Sequence, residues 1–149
     1  MTANQMERKK VTIHITNVIR QMDAEEKSDM SVSGVFYRDK GNRYLHYEEK
    51  QLAGTIRTVL KIADNELLLM RSGAVNMRMH FFRDNRRSTA SVDSGAGKLQ
   101  LESELVSMEE LYENKPDVLS EVAFQYDLLS HGEYIGSYTV LMKIEEDAE

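Results

Sequence analysis

Along most of the chain apolar and polar residues alternate, and that period of two admits half-buried strands while excluding amphipathic helices over the same stretches. Val11-Thr12-Ile13-His14-Ile15-Thr16 and Val75-Asn76-Met77-Arg78-Met79-His80-Phe81 are clear runs. Between the runs stand Asp39-Lys40-Gly41-Asn42, Ala63-Asp64-Asn65, Ser72-Gly73-Ala74, Arg83-Asp84-Asn85, Ser94-Gly95-Ala96-Gly97 and Ser130-His131-Gly132. Each supplies the Gly, Asn or Asp that a tight turn with positive φ or an Asx-turn requires. The pattern predicts ten strands, at 10–22, 30–38, 43–49, 54–63, 66–72, 75–83, 86–94, 98–106, 118–130 and 133–145. Two short stretches read as helical: Ser107-Met108-Glu109-Glu110, a capping box ahead of Pro116, and more weakly Asp23-Ala24-Glu25-Glu26.

So many strands with so little helix leave an edge problem, and full closure removes it. The expected fold is all-β: a closed antiparallel up-and-down β-barrel of 8 to 10 strands with at most one or two short helical turns. A two-sheet sandwich is the alternative, and the short connections favour the meander. The 149 residues make one domain, with 1–9 and 145–149 expected to be frayed. With no cysteine, zinc-thiolate, iron-sulfur and cysteine-nucleophile chemistry is excluded, and a reducing, cytoplasmic setting is the default expectation. The basic N-terminal residues lead into alternation and not into an apolar h-region, so no signal peptide is expected. The net charge of -6 argues against binding nucleic acid or an anionic membrane.

Splitting each strand by parity puts Val11, Ile13, Ile15, Leu45, Leu60, Leu69, Met77, Met79, Leu99, Tyr126, Val140 and Met142 on one face, the inner one. Some polar groups fall on that same face: Glu49, Thr58, Arg71, Ser103 and Ser120, with the hydroxyls of Tyr47, Tyr126 and Tyr138. A buried polar group costs free energy unless it is partnered, so these residues carry the information. In an up-and-down chain the strands holding Glu49 and Arg71 run the same way with one strand between them. Their backbones then lie about 10 Å apart at one mouth, within reach of two long side chains. The bland reading is a structural ion pair; the functional one is an anchor for an anion or polar ligand.

Other chemistry has little support. His14, His46, His80 and His131 form no close metal-binding pair, and no metal or cofactor is expected. His46 has Glu48 near it on the same strand face and reads as a solvated pair. No Gly-x-Ser-x-Gly elbow exists, and no catalytic residue is assigned, so an enzyme is the less favoured class. The basic run Arg83-Asp84-Asn85-Arg86-Arg87 lies at the barrel end of Glu109, Glu110 and Glu113, which are expected to answer its charge. The inner methionines read as core packing.

The chain also resembles the uncharacterised YwiB-like proteins of Bacillus-type bacteria over roughly residues 10–145. The resemblance is carried by Tyr47-Glu48-Glu49, Thr55, Met70-Arg71-Ser72-Gly73, Met79-His80-Phe81, Tyr126-Asp127-Leu128 and Thr139-Val140-Leu141. Where that family's Tyr-x-Thr-x-x-Gly element is expected, this chain has Val92, Ser94 and Gly97. The resemblance implies a calycin-like (lipocalin-type) barrel and no assigned activity, and the fold itself licenses only an analogy to small-ligand binding. The leading expectation is a barrel that takes a small, partly apolar molecule at the mouth carrying Tyr47, Glu49, Arg71 and Tyr138. Its rival is a filled barrel acting as a protein-interaction or structural module, with a homodimer as the partner it allows.

Overall fold

A computed structural model describes residues 8–84, 87–93, 97–113 and 119–147. Ten strands follow one another: β1 (Lys9–Gln21), β2 (Ala24–Asp39), β3 (Asn42–Gln51), β4 (Gly54–Ile62), β5 (Glu66–Gly73), β6 (Asn76–Phe82), β7 (Ser88–Asp93), β8 (Lys98–Tyr112), β9 (Leu119–Ser130) and β10 (Glu133–Glu146). Each pairs antiparallel with its sequence neighbours, and β10 closes the barrel onto β1. No helix occurs among the described residues. The up-and-down path divides the turns between two mouths. One carries the β2–β3, β4–β5 and β6–β7 connections; the opposite mouth carries β1–β2, β3–β4, β5–β6 and β9–β10.

Local chemistry sets the hairpins. Lys40-Gly41 and His131-Gly132 each have positive φ at both positions, as a two-residue turn matched to the strand twist demands. Gly34 marks a corner: a Cβ there would lie 2.6 Å from the carbonyl oxygen of His46. From Gly34 to Asp39, β2 pairs with β3. Past Gly34, towards the second mouth, β2 pairs with β1 alone, and a cleft opens between β2 and the end of β3.

Cross-strand rows fill the interior in layers. Arg43–Ile62–Leu67–Phe81 forms one, Leu45–Leu60–Leu69–Met79–Ala90–Leu101 the next, and Tyr47–Thr58–Arg71–Met77 the third. Apart from Arg43 and Leu101, the residues of the first two rows are buried hydrophobics, as side-chain filling of a small barrel requires.

Several expectations are corrected. Residues 107–110 form no helix: β8 runs straight through them and pairs with β9. A bulge at Val106, the extra residue between the Leu105 and Ser107 pairings, reverses the parity, so that Met108 and Tyr112 pack against the core. Pairing along the sheet overrides a local capping signal. Residues 23–26 likewise belong to the β1–β2 hairpin. Leu99 is 60% exposed, at the start of β8 where the strand pairs with β7 alone and has not yet met β9. Ser120 sits in a second bulge, where its hydroxyl donates to the Leu111 carbonyl at 3.2 Å. Glu145 and Glu146 are the last residues of β10, and the Asp147 amide donates to the Lys10 carbonyl. Pro116, residues 94–96 of the Ser94–Gly97 turn, Asn85 and Arg86 of the basic run, and residues 1–7 and 148–149 lie outside the described residues.

Candidate functional site

The sequence places Glu49 and Arg71 on the same face of two strands that flank β4, and the structure joins them: Arg71 Nη2 donates to Glu49 Oε1 at 2.9 Å. Register alone brings them to one mouth, since Arg71 is opposite Thr58, Thr58 opposite Tyr47, and Glu49 opposite Ile56. A glycine fixes the corner just beyond. Gly73 has φ of 113°, and a Cβ there would stand 2.2 Å from the Thr55 carbonyl oxygen, which also accepts the Ala74 amide. The Thr55 and Arg71-Ser72-Gly73 elements of the sequence are thus one structural unit, in which the glycine seats the end of β5 against the start of β4.

Beside the pair lies a cavity of about 300 Å³. Tyr47, Glu49 and Arg71 line it together with apolar Leu69, Phe124 and Met142. Ser28 and Met30 of β2 and Gln51 of β3 also line it, so its wall includes both sides of the cleft where those strands part. Tyr138, the fourth residue expected at this mouth, is not in the wall. It stands one ring behind, stacked on Tyr126 with centroids 5.2 Å apart, and its hydroxyl accepts from Gln21 Nε2. Tyr126 lines the cavity in its place.

The electrostatics of this mouth are those of a dry wall with one charged pair. Burial pushes the Tyr47 phenol up to about 12, with the adjacent Thr58 hydroxyl and the Arg71 charge working the other way. Burial also raises Tyr126, and the neighbouring Tyr138 adds to the shift. Among the described residues, Arg71 makes one hydrogen bond, that to Glu49, so most of its five donors have no protein acceptor there.

The opposite mouth holds a cluster that parity alone does not reveal. Glu110 accepts from Arg43 Nε at 3.1 Å and Nη2 at 2.9 Å, from Arg83 Nη2 at 2.9 Å and from the Tyr112 hydroxyl at 2.8 Å. Arg43 also donates to the Gly41 carbonyl and lies 3.5 Å from Asp64. Burial opposes the Arg43 charge, but the hydrogen bond and charge of Glu110 outweigh it and raise its pKa. Of the three carboxylates expected to answer the basic hairpin, Glu110 holds Arg83, while Arg87 pairs instead with Glu104 at 2.6 Å. Arg43 was findable, having the parity of Leu45 and Tyr47; Glu110 was hidden by the bulge at Val106.

The histidines stay dispersed. His46 is not paired with Glu48: its Nε2 shares a 2.9 Å hydrogen bond with the Tyr37 hydroxyl, while Glu48 holds Arg57. Burial, with the Arg8 charge, lowers the His46 pKa. Among the described residues no group of three or more His, Asp or Glu side chains is arranged to hold a metal ion. No helix there is long and apolar enough to cross a membrane.

Comparison with known proteins agrees with this architecture. The chain is 29% identical over 119 residues to the uncharacterized beta-barrel protein YwiB of Bacillus subtilis (strain 168), covering 79% of this chain and 80% of that protein. The crystal structure of ywiB protein from Bacillus subtilis superposes with a TM-score of 0.75 at 22% identity, covering 99% of both chains. The model of DUF1934, a domain of unknown function, matches residues 13–142. With the ten-stranded barrel and most of the chain matched, this protein belongs to the DUF1934 family.

Proposed function

We propose that the barrel binds a small, partly apolar molecule carrying a carboxylate or similar anion in the cavity at the Glu49–Arg71 mouth. The observation that carries this reading is the contrast in filling: a cavity of about 300 Å³ borders an arginine with unused donors at one mouth, while the opposite mouth is plugged by a saturated cluster. That volume sits at the lower end of those that hold small ligands, and the mixture of aromatic and aliphatic wall with a few convergent polar groups is typical of such sites. In this reading Arg71, held in place by Glu49, takes the anion, the Gln51 amide donates beside it, and Tyr126 and Phe124 pack on the apolar part. The cleft between β2 and β3 is the way in.

A second reading, a protein-interaction module or homodimer through the unpaired edge of β2, is less supported. That edge carries Glu25, Glu26, Lys27 and Asp29, the charged residues with which natural sheets discourage edge pairing. Native mass spectrometry of protein purified from its own host tests both. Retained small-molecule mass in the wild type that is lost in Arg71→Met supports the ligand site. A dimer without retained mass would support the module instead.

A further inference from the structure

A larger hollow, about 730 Å³, lies outside the barrel over β4 to β8, beside the same mouth. Strand twist makes the outer surface of a barrel concave along its axis, and long side chains deepen that concavity into a groove. Its floor comes from the outward-facing row Val59–Met70–Arg78–Ser91–Gln100, in which each residue is the cross-strand partner of the next. Val59 and Met70 form an apolar strip. Arg78 follows Met70 in that row, Arg57 lies two residues before Val59 on β4 opposite Ser72, and Lys98 also lines the groove.

Charge collects here against the trend of the molecule. The chain carries a net charge of -6, yet the groove is lined by Arg57, Arg71, Arg78 and Lys98 against a single carboxylate, Asp93. The cations are also poorly engaged. Arg78 Nη1 donates to Met70 Sδ at 3.2 Å, and a thioether is a weak acceptor for a guanidinium. Arg57 holds Glu48 at 3.1 Å in an exposed pair, which contributes little and exchanges readily for a stronger anion. Ser72, Asn76 and Gln100 add neutral hydrogen-bonding groups around the rim.

We propose that this outer groove binds a phosphate-bearing small molecule, with phosphate oxygens between the Arg57 and Arg78 guanidiniums and an apolar or aromatic moiety on Val59 and Met70. Guanidinium forks match phosphate oxygens in geometry, and two or three cations around one site suit a multiply charged anion better than a single carboxylate. The groove is separate from the internal cavity, with Arg71 and Met77 as their shared wall, and the proposal does not depend on the interior being occupied.

Calorimetric titration of the full chain with ATP in magnesium-free buffer at physiological salt tests it. Wild type should bind, and the Arg57→Gln/Arg78→Gln double variant should bind about tenfold more weakly or worse, losing two charge-assisted contacts. Both side chains are exposed, so an unchanged urea midpoint will show that the variant is folded. Lys143→Gln, which removes one exposed cation on β10 away from the groove, should bind ATP as wild type does. Absence of binding up to millimolar ATP, or equal binding by the double variant, would overturn the proposal. So would a loss in Lys143→Gln matching that of the double variant, which would make the binding an effect of overall charge and not of this groove.

Discussion

At one mouth of this barrel Glu110 receives two guanidiniums and a phenol; at the other Glu49 receives one nitrogen of Arg71 and, more distantly at 3.3 Å, the Gln51 amide. Both are acid–arginine pairs on inward-facing positions, yet only the second borders the 300 Å³ cavity. The difference lies in how the strands end. The Val106 bulge turns Met108, Glu110 and Tyr112 inward together. At the second mouth β2 and β3 stop pairing at Gly34, and the pair borders the cavity that both strands help to line. Identical chemistry thus yields a plug where the backbone converges and an open polar anchor where it parts.

The largest expected effect lies in the plug. Glu110→Ala leaves the buried Arg43 without its main partner, and urea denaturation at neutral pH should show a loss of about 3–5 kcal/mol. A loss below about 1 kcal/mol would mean that the cluster is solvated and that the two mouths are alike. Next comes the corner that seats Arg71. Gly73→Ala forces a Cβ onto the Thr55 carbonyl at positive φ and should cost about 3 kcal/mol. It should also disturb the Arg71–Glu49 pair more than the distant Arg43–Glu110 pair, as chemical shifts at the two mouths would report.

The dryness of the open mouth has a pH signature. Tyr47 titrates near 12 in the folded protein against an ordinary value of 10, so folding favours its neutral form. The associated stability is fully present below pH 10 and is lost as pH rises through 12, about 2–3 kcal/mol in all. Tyr47→Phe should remove that part of the alkaline loss, and urea midpoints collected between pH 9 and 12 would show it. A variant with the wild-type alkaline slope would mean that the Tyr47 phenol is hydrated. Arg71→Met should have the smallest effect on stability, about 1 kcal/mol, because Arg71 is partly exposed and Glu49 keeps the Gln51 amide as a partner. A cost approaching that of Glu110→Ala would identify the Glu49–Arg71 pair as a second plug.

Much of this was legible in the alternation. Ten strands, their order, and the meeting of Glu49 with Arg71 follow from a period of two plus an up-and-down path, because one inward parity per strand fixes which side chains share the interior. The failures have a common cause. Ser107-Met108-Glu109-Glu110 satisfies a helix cap locally, and only pairing with β9, far away in sequence, keeps it extended. A single extra residue at Val106 inverts every position after it, so parity carried forward from Leu101 and Leu105 assigns Glu110 to the wrong side. Tyr138 was placed on the correct face, but the stacking that sets it behind Tyr126 depends on ring geometry that alternation does not encode.

The central claim, that one mouth is sealed and the other is a ligand site, is tested most directly by amide chemical-shift mapping during titration with benzoate, a small aromatic carboxylate. The perturbations should concentrate at Tyr47, Thr58, Leu69, Arg71 and Tyr126, saturate, and weaken in Arg71→Met, while Arg43 and Glu110 stay unmoved. Saturable shifts centred on Arg43 and Glu110, or no saturable shift at either mouth, would contradict it.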